Sequence, residues 1–123
     1  MVIVGTKIVA SDSSGAFIMQ CIKVLGSGCR RCATIGDKII VAVKNAAHKK
    51  KVKKHDVHSC IIIRKKRAYF RYNGIGIAFK KNSGILIDKK RSAPLGTRIF
   101  GPFMYEMRRK KYLKILSIAT TIV

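Results

Sequence analysis

Apolar residues recur along this chain in short, β-branched runs, and turn residues interrupt them every few positions, the pattern of a compact all-β domain. Lys7 to Ala10 predicts a first strand. Asp12-Ser13-Ser14-Gly15 predicts a turn, because short polar side chains and glycine tolerate tight backbone geometry. Ala16 to Leu25 predicts a second strand, broken by Gly26-Ser27-Gly28. After the Gly36-Asp37 turn, Lys38 to Lys44 alternates like a half-buried strand. His48 to His55 is a polar, basic loop, and Val57 to Arg64 is the most β-prone run of the chain. Asn73-Gly74 signals a turn. Ile75 to Phe79 and Ile85 to Ile87 predict short strands on either side of Asn82-Ser83-Gly84. Asp88 to Pro102 contains both prolines and reads as loop. Beyond it, Met104 to Leu113 holds good helix formers with no Gly or Pro, which predicts one or two short helices before an extended tail.

A length of 123 residues suits one domain. The expectation is a single domain over 1–123 with a helical extension from about 103. The 48% apolar content supplies a real core. No apolar run approaches the ~20 residues that a membrane span needs; Cys60-Ile61-Ile62-Ile63 is typical of the longest. Met1 to Ala10 does not read as a signal peptide. The chain is therefore expected to be made where it works, unless a presequence has been removed.

Charge changes this picture most. Lys and Arg total 27 against 5 Asp and Glu, a net charge of +22. Self-repulsion at that charge opposes compaction unless a polyanion neutralises it, and nucleic acid does so with release of counterions. An anionic membrane surface is the competing partner, but here the charge is spread along a globular chain and not gathered on one amphipathic helix. The cations fall into clusters: Arg30-Arg31, Lys49-Lys50-Lys51 with Lys53-Lys54, Arg64-Lys65-Lys66-Arg67, Lys89-Lys90-Arg91, and Arg108-Arg109-Lys110-Lys111. One such cluster would be an ordinary solvated face. Five with almost no acid between them point to a phosphate backbone. Tyr69, Phe70 and Tyr72 lie beside Arg67 and Arg71, where exposed rings could stack on unpaired bases; core packing is an equal alternative for Phe70.

Other chemistry is weakly represented. Cys29-x-x-Cys32 has the spacing of half a zinc site, but His55-x-x-His58-x-Cys60 departs from the usual second pair, and a structural site needs four ligands. Cys21 and Cys60 fall in apolar strands, where cysteine usually packs as a small hydrophobe. Gly26-Ser27-Gly28 lacks the further residues of a phosphate loop. Asp12, Asp37, Asp56, Asp88 and Glu106 are scattered, three of them at turns, and none forms a visible pair for acid–base work. No catalytic residue, metal or cofactor is expected.

Several stretches, in order along nearly the whole chain, resemble ribosomal protein fourteen of the large subunit, the universal L-fourteen family. The early turn Asp12-Ser13-Ser14-Gly15-Ala16, the second-strand sequence Cys21-Ile22-Lys23-Val24-Leu25-Gly26, Gly36-Asp37 and Lys51-Val52-Lys53-Lys54 are similar to the family's. So are Ile61-Ile62-Ile63, Asn73-Gly74, Phe79, Asn82 and Ile85-Leu86. Gly96-Thr97-Arg98-Ile99-Phe100-Gly101-Pro102 is the most diagnostic, followed at the right distance by Glu106 and Lys114-Ile115-Leu116-Ser117-Ile118-Ala119. Departures are His55 for a usual Gly, Cys60 for a small Gly or Ala, and Ile85 for Val. Cys29 and Cys32 stand where the family generally has other residues, so it lends no support to zinc.

The resemblance implies a mainly β fold: a small five-stranded β-barrel with a β-ribbon and short C-terminal helices. It also implies a structural, non-enzymatic constituent of the large ribosomal subunit that binds large-subunit rRNA. Its further implied partners are small-subunit rRNA in an intersubunit bridge, neighbouring large-subunit proteins, and a ribosome silencing factor, with no membrane. The expected rRNA contacts are Arg30, Arg31, Lys49, Lys50, Lys51, Lys53, Lys54, Arg64, Lys65, Lys66, Arg67, Lys89, Lys90, Arg91 and Arg98. Arg108, Arg109, Lys110 and Lys111 are expected at the subunit interface or against a protein. Enrichment in Ile and Lys, as in an AT-rich genome, favours a mitochondrial ribosome; a bacterial or plastid origin stays open.

Overall fold

The computed structural model describes residues 1–26, 31–109 and 112–123. Five strands close a barrel: β1 (Lys7–Ala10), β2 (Ala16–Val24), β3 (Lys38–Ala46), β4 (Val57–Arg64) and, after two short strands, β7 (Ser83–Ile87). Neighbours in the order β1-β2-β3-β4-β7 pair antiparallel, and a parallel β1–β7 pairing closes the ring. The expected β1 and β4 have the observed bounds, and β2, β3 and β7 differ by one or two residues at an end. Closure removes the exposed edges that would otherwise invite aggregation.

The all-buried run in β4 and β7 has a simple cause. Successive strand residues point to opposite faces. Cys60, Ile62 and Leu86 face the barrel core with Ile8, Met19, Ile39, Val41 and Val43. Ile61, Ile63, Ile85 and Ile87 face outward into a second core with Ile99, Phe103, Met104, Met107 and Ile115. These two strands are therefore sandwiched between the barrel interior and the C-terminal segment, so both faces are apolar. Gly84 is needed here, since a Cβ would sit 3.1 Å from the Ile61 carbonyl oxygen and collide with the Cys60 thiol.

Beyond the barrel, β5 (Tyr69–Phe70) and β6 (Gly76–Ile77) form a two-stranded ribbon around the Asn73-Gly74 turn. The expected strand at Ile75 to Phe79 shrinks to two residues, and its partner β5 was not foreseen. The β8 (Pro102–Phe103) and β9 (Thr121–Ile122) strands pair in parallel. The C-terminal helices also shift. Among the described residues of Met104 to Leu113 there is a 3₁₀ turn, Tyr105–Arg108, and the one α-helix among the described residues, α1 (Leu113–Ile118), starts only at the last residue of the expected helical run. The second core explains this. Met104 and Met107, three apart, are both fully buried, and the three-residue repeat of a 3₁₀ turn serves that spacing.

The loop before β8 is fixed to the turn after β1. Ser13 N–H donates to the Arg98 carbonyl at 3.0 Å, Arg98 N–H donates to Ser13 Oγ at 3.1 Å, and Phe100 N–H donates to the Ser11 carbonyl at 2.8 Å. Gly96 permits the approach, because a Cβ there would lie 2.8 Å from Ser13 N. Within that turn, buried Asp12 accepts from Ser14 Oγ at 2.6 Å and from Leu86 N–H at 3.0 Å.

Candidate nucleic-acid interface

Two cationic ends flank the barrel. At one end, the loop joining β3 to β4 carries Lys49, Lys50, Lys51, Lys53 and Lys54, all exposed. The loop is ordered by its own sequence. Val52, 1% exposed, inserts into the barrel core between the lysines. Asp56 accepts from Lys53 N–H at 2.9 Å, and Ala47 N–H donates to the Gly15 carbonyl at 2.7 Å. Lys49 and His55 hold positive φ of 59° and 71°, a left-handed geometry that costs a non-glycine residue energy and persists only where surroundings dictate it. The loop bounds a cleft of about 470 Å³ lined by His48, Lys49, Lys50, Lys53 and Lys54. Lys89, Lys90 and Arg91, also exposed, follow β7 at the end of the barrel where β4 begins.

At the other end, Arg64 to Arg67 leave β4 where β7 starts. This cluster divides. Lys66 and Arg67 are exposed. Lys65 is 8% exposed, with its ammonium 5.5 Å from the Tyr69 ring centroid; burial lowers its pKa. Arg64 donates to Ser11 Oγ and, at 3.0 Å, to the Phe100 carbonyl, so it ties the barrel to the Gly96–Pro102 loop. Among the described residues, its buried Nε has no hydrogen-bond partner. The sequence singled out neither Lys80 nor Lys81, yet both are exposed and line a cleft with Ser11, Arg64 and Ser83. Their signal was a Lys-Lys pair just ahead of a strand. β4 has 8 residues, so at ~3.3 Å per step the strand that joins the two cationic ends is about 23 Å long.

The remaining expected residues are placed as follows. Arg31 and Arg98 are exposed. Arg108, over the Tyr105 ring at 5.9 Å, and Arg109 are exposed beside the 3₁₀ turn. Arg30, Lys110 and Lys111 lie outside the described residues, as does Cys29. Phe70 is 73% exposed and Tyr72 fully so, which settles Phe70 against core packing. Cys21 and Cys60 are buried free thiols, and burial pushes both pKa values up, away from the reactive thiolate. Among the described residues, no cluster of three His, Cys, Asp or Glu is placed to hold a metal, and no helix is long and apolar enough to cross a membrane.

Loops of exposed cations on a closed barrel suit a phosphate backbone. The family model described as Ribosomal protein L14p/L23e matches residues 1–123, the whole chain. The chain belongs to the Ribosomal protein L14p/L23e family and is thereby a structural constituent of the large ribosomal subunit.

Proposed function

We propose that this protein is a scaffold that holds large-subunit rRNA through its two cationic ends and takes part in an intersubunit bridge. The observation that carries the reading is the β3–β4 loop. Its lysines are presented on a backbone that Val52 and Asp56 hold in place before any ligand arrives. Such preorganisation lets phosphate contacts form without the entropic cost of ordering a loop. Exposed Arg31, Lys66, Arg67, Lys89, Lys90, Arg91 and Arg98 extend the track. Arg64 and Lys65 serve it indirectly, by fixing the loops around them. Arg108 to Lys111 face small-subunit rRNA or a protein neighbour, and a silencing factor that docks on this face would block subunit joining. The composition favours the ribosome of a mitochondrion, with a bacterial or plastid ribosome as the alternative.

Sedimentation of a gentle lysate at raised salt, with quantitative mass spectrometry of each fraction, tests this. One copy per large subunit after the wash supports it, because loose basic proteins are stripped as counterions compete. Recovery at the top of the gradient overturns it in favour of a free RNA-binding barrel. In the same gradients, Arg108→Ala with Arg109→Ala is expected to move large subunits from joined ribosomes to the free pool.

A further inference from the structure

One cavity lies apart from the two cationic ends. A cleft of about 490 Å³ opens between the β5–β6 ribbon, the 3₁₀ turn and β9. Three tyrosines line it: Tyr69, Tyr72 and Tyr105. Tyr72 is fully exposed, and Tyr105 is 52% exposed with Arg108 over its ring, so Tyr72 offers both ring faces and Tyr105 the part that Arg108 leaves open. Tyr72 sits on a rigid hairpin tip, where Gly74 N–H donates to the Arg71 carbonyl at 3.0 Å and Arg71 N–H donates to the Ile75 carbonyl at 2.9 Å.

The charge around the cleft selects the ligand. Its acidic side chain, Glu106, is already paired with Arg71. Arg109 also lines the cleft and puts a cation in its wall. A purely apolar protein side chain would leave that cation unused. Asn73 adds a hydrogen-bonding edge: its Oδ1 accepts from Ile75 N–H at 3.2 Å, which leaves its amide nitrogen as a donor for a ligand. Aromatic faces, an amide edge and a nearby cation are the elements that recognise an unpaired nucleotide, with the base stacked and its phosphate neutralised.

We propose that the cleft bounded by Tyr69, Tyr72, Tyr105, Asn73 and Arg109 takes an unpaired base of an RNA strand. The inference rests on the RNA-binding reading above and adds to it a contact with a single-stranded or looped nucleotide, not a helical backbone. The volume lies within the range of small-molecule pockets.

The test titrates the full chain with a mixed-sequence single-stranded oligoribonucleotide and with a duplex of the same length, at two salt concentrations. Tyr72→Ala and Tyr105→Ala are each expected to weaken single-strand binding about fivefold or more, the loss of one base–aromatic stack. Duplex affinity and the salt dependence stay unchanged. Tyr72→Phe and Tyr105→Phe retain binding, because stacking needs the ring and not the hydroxyl. Tyr72 is fully exposed, so its replacement puts the fold at no risk. No loss on Tyr72→Ala overturns the proposal, and so does equal loss on single strand and duplex. A wild-type chain that binds neither RNA overturns the RNA-binding reading as well, which separates the two failures.

Discussion

Asp12 is a buried carboxylate that does structural work in the turn after β1. Its two oxygens accept from Ser14 Oγ and from the Leu86 N–H in the barrel wall. Burial raises its pKa, against the pull of those hydrogen bonds. Asp12→Ala leaves the Leu86 N–H inside the protein without its acceptor, and the expected cost is about 1–3 kcal/mol, read as a lower urea midpoint with unchanged slope. The pH dependence has a definite sign. A carboxyl whose folded pKa exceeds its unfolded value contributes stability that is fully present below the unfolded pKa and lost as pH rises through the folded one. The wild-type advantage over Asp12→Ala is therefore expected to grow as pH falls from the raised folded pKa to the ordinary carboxylate value, and to level off below it. An advantage that shrinks there would mean that the charged form is the favoured one.

At the scale of elements, the ribbon packs on the core of the C-terminal segment through Tyr69 and Ile77 and is tied to it by Arg71. Arg71, on the ribbon, is bidentate to Glu106 on the 3₁₀ turn and donates to the Val123 carbonyl at 2.8 Å. The Arg71 hydrogen bond is the main reason that Glu106 titrates below the usual carboxylate range. Here the sign is the reverse of Asp12: the contribution is present above the unfolded pKa and lost as pH falls through the depressed folded value. Glu106→Gln is expected to speed amide exchange across Tyr69 to Ile77 at neutral pH while the barrel strands keep their protection; equal rates in the ribbon would show that Arg71 is not its anchor. This tie also marks where the sequence stopped being legible. β1 to β4 and β7 could be read because turn residues bound each run. The ribbon has two-residue strands that pair across the Asn73-Gly74 turn but are anchored by a contact 35 residues away, and no local pattern encodes that anchor. The helices moved for a related reason: propensity favoured Met104 to Leu113, but burial of Met104, Met107 and Ile115 decided which turns formed. The site was legible as clusters. That Arg64 and Lys65 are drawn inward while Lys66 and Arg67 stay exposed depends on the end of β4, where the strand leaves the sheet.

For the whole molecule, a charge of +22 on 123 residues sets folding and binding against each other. Cations packed on a small barrel repel, and salt that screens them favours the compact state. The same salt weakens RNA binding, because counterion release contributes less. The β3–β4 loop lets the two effects be separated. Lys49, Lys50, Lys53 and Lys54 are exposed, and none makes a side-chain hydrogen bond or ion pair within the described residues, while buried Val52 holds the loop. Changing all four to Gln is therefore expected to leave the barrel folded, and to raise its melting temperature at low salt by removing repulsion. Binding should respond in the opposite sense. If each lysine neutralises one phosphate of a single strand, the slope of log affinity against log salt falls by about 0.7 per lysine, roughly 3 in all. Thermal melting and RNA titration of the same variant, each over a salt series, read both numbers. A stabilised barrel with an unchanged slope would free this loop from RNA and move the anchoring to Lys66, Arg67, Lys80 and Lys81 at the far end of β4. A reduced slope with a destabilised barrel would instead mean that the lysines help to hold the loop itself, and that its order is not the work of Val52 alone.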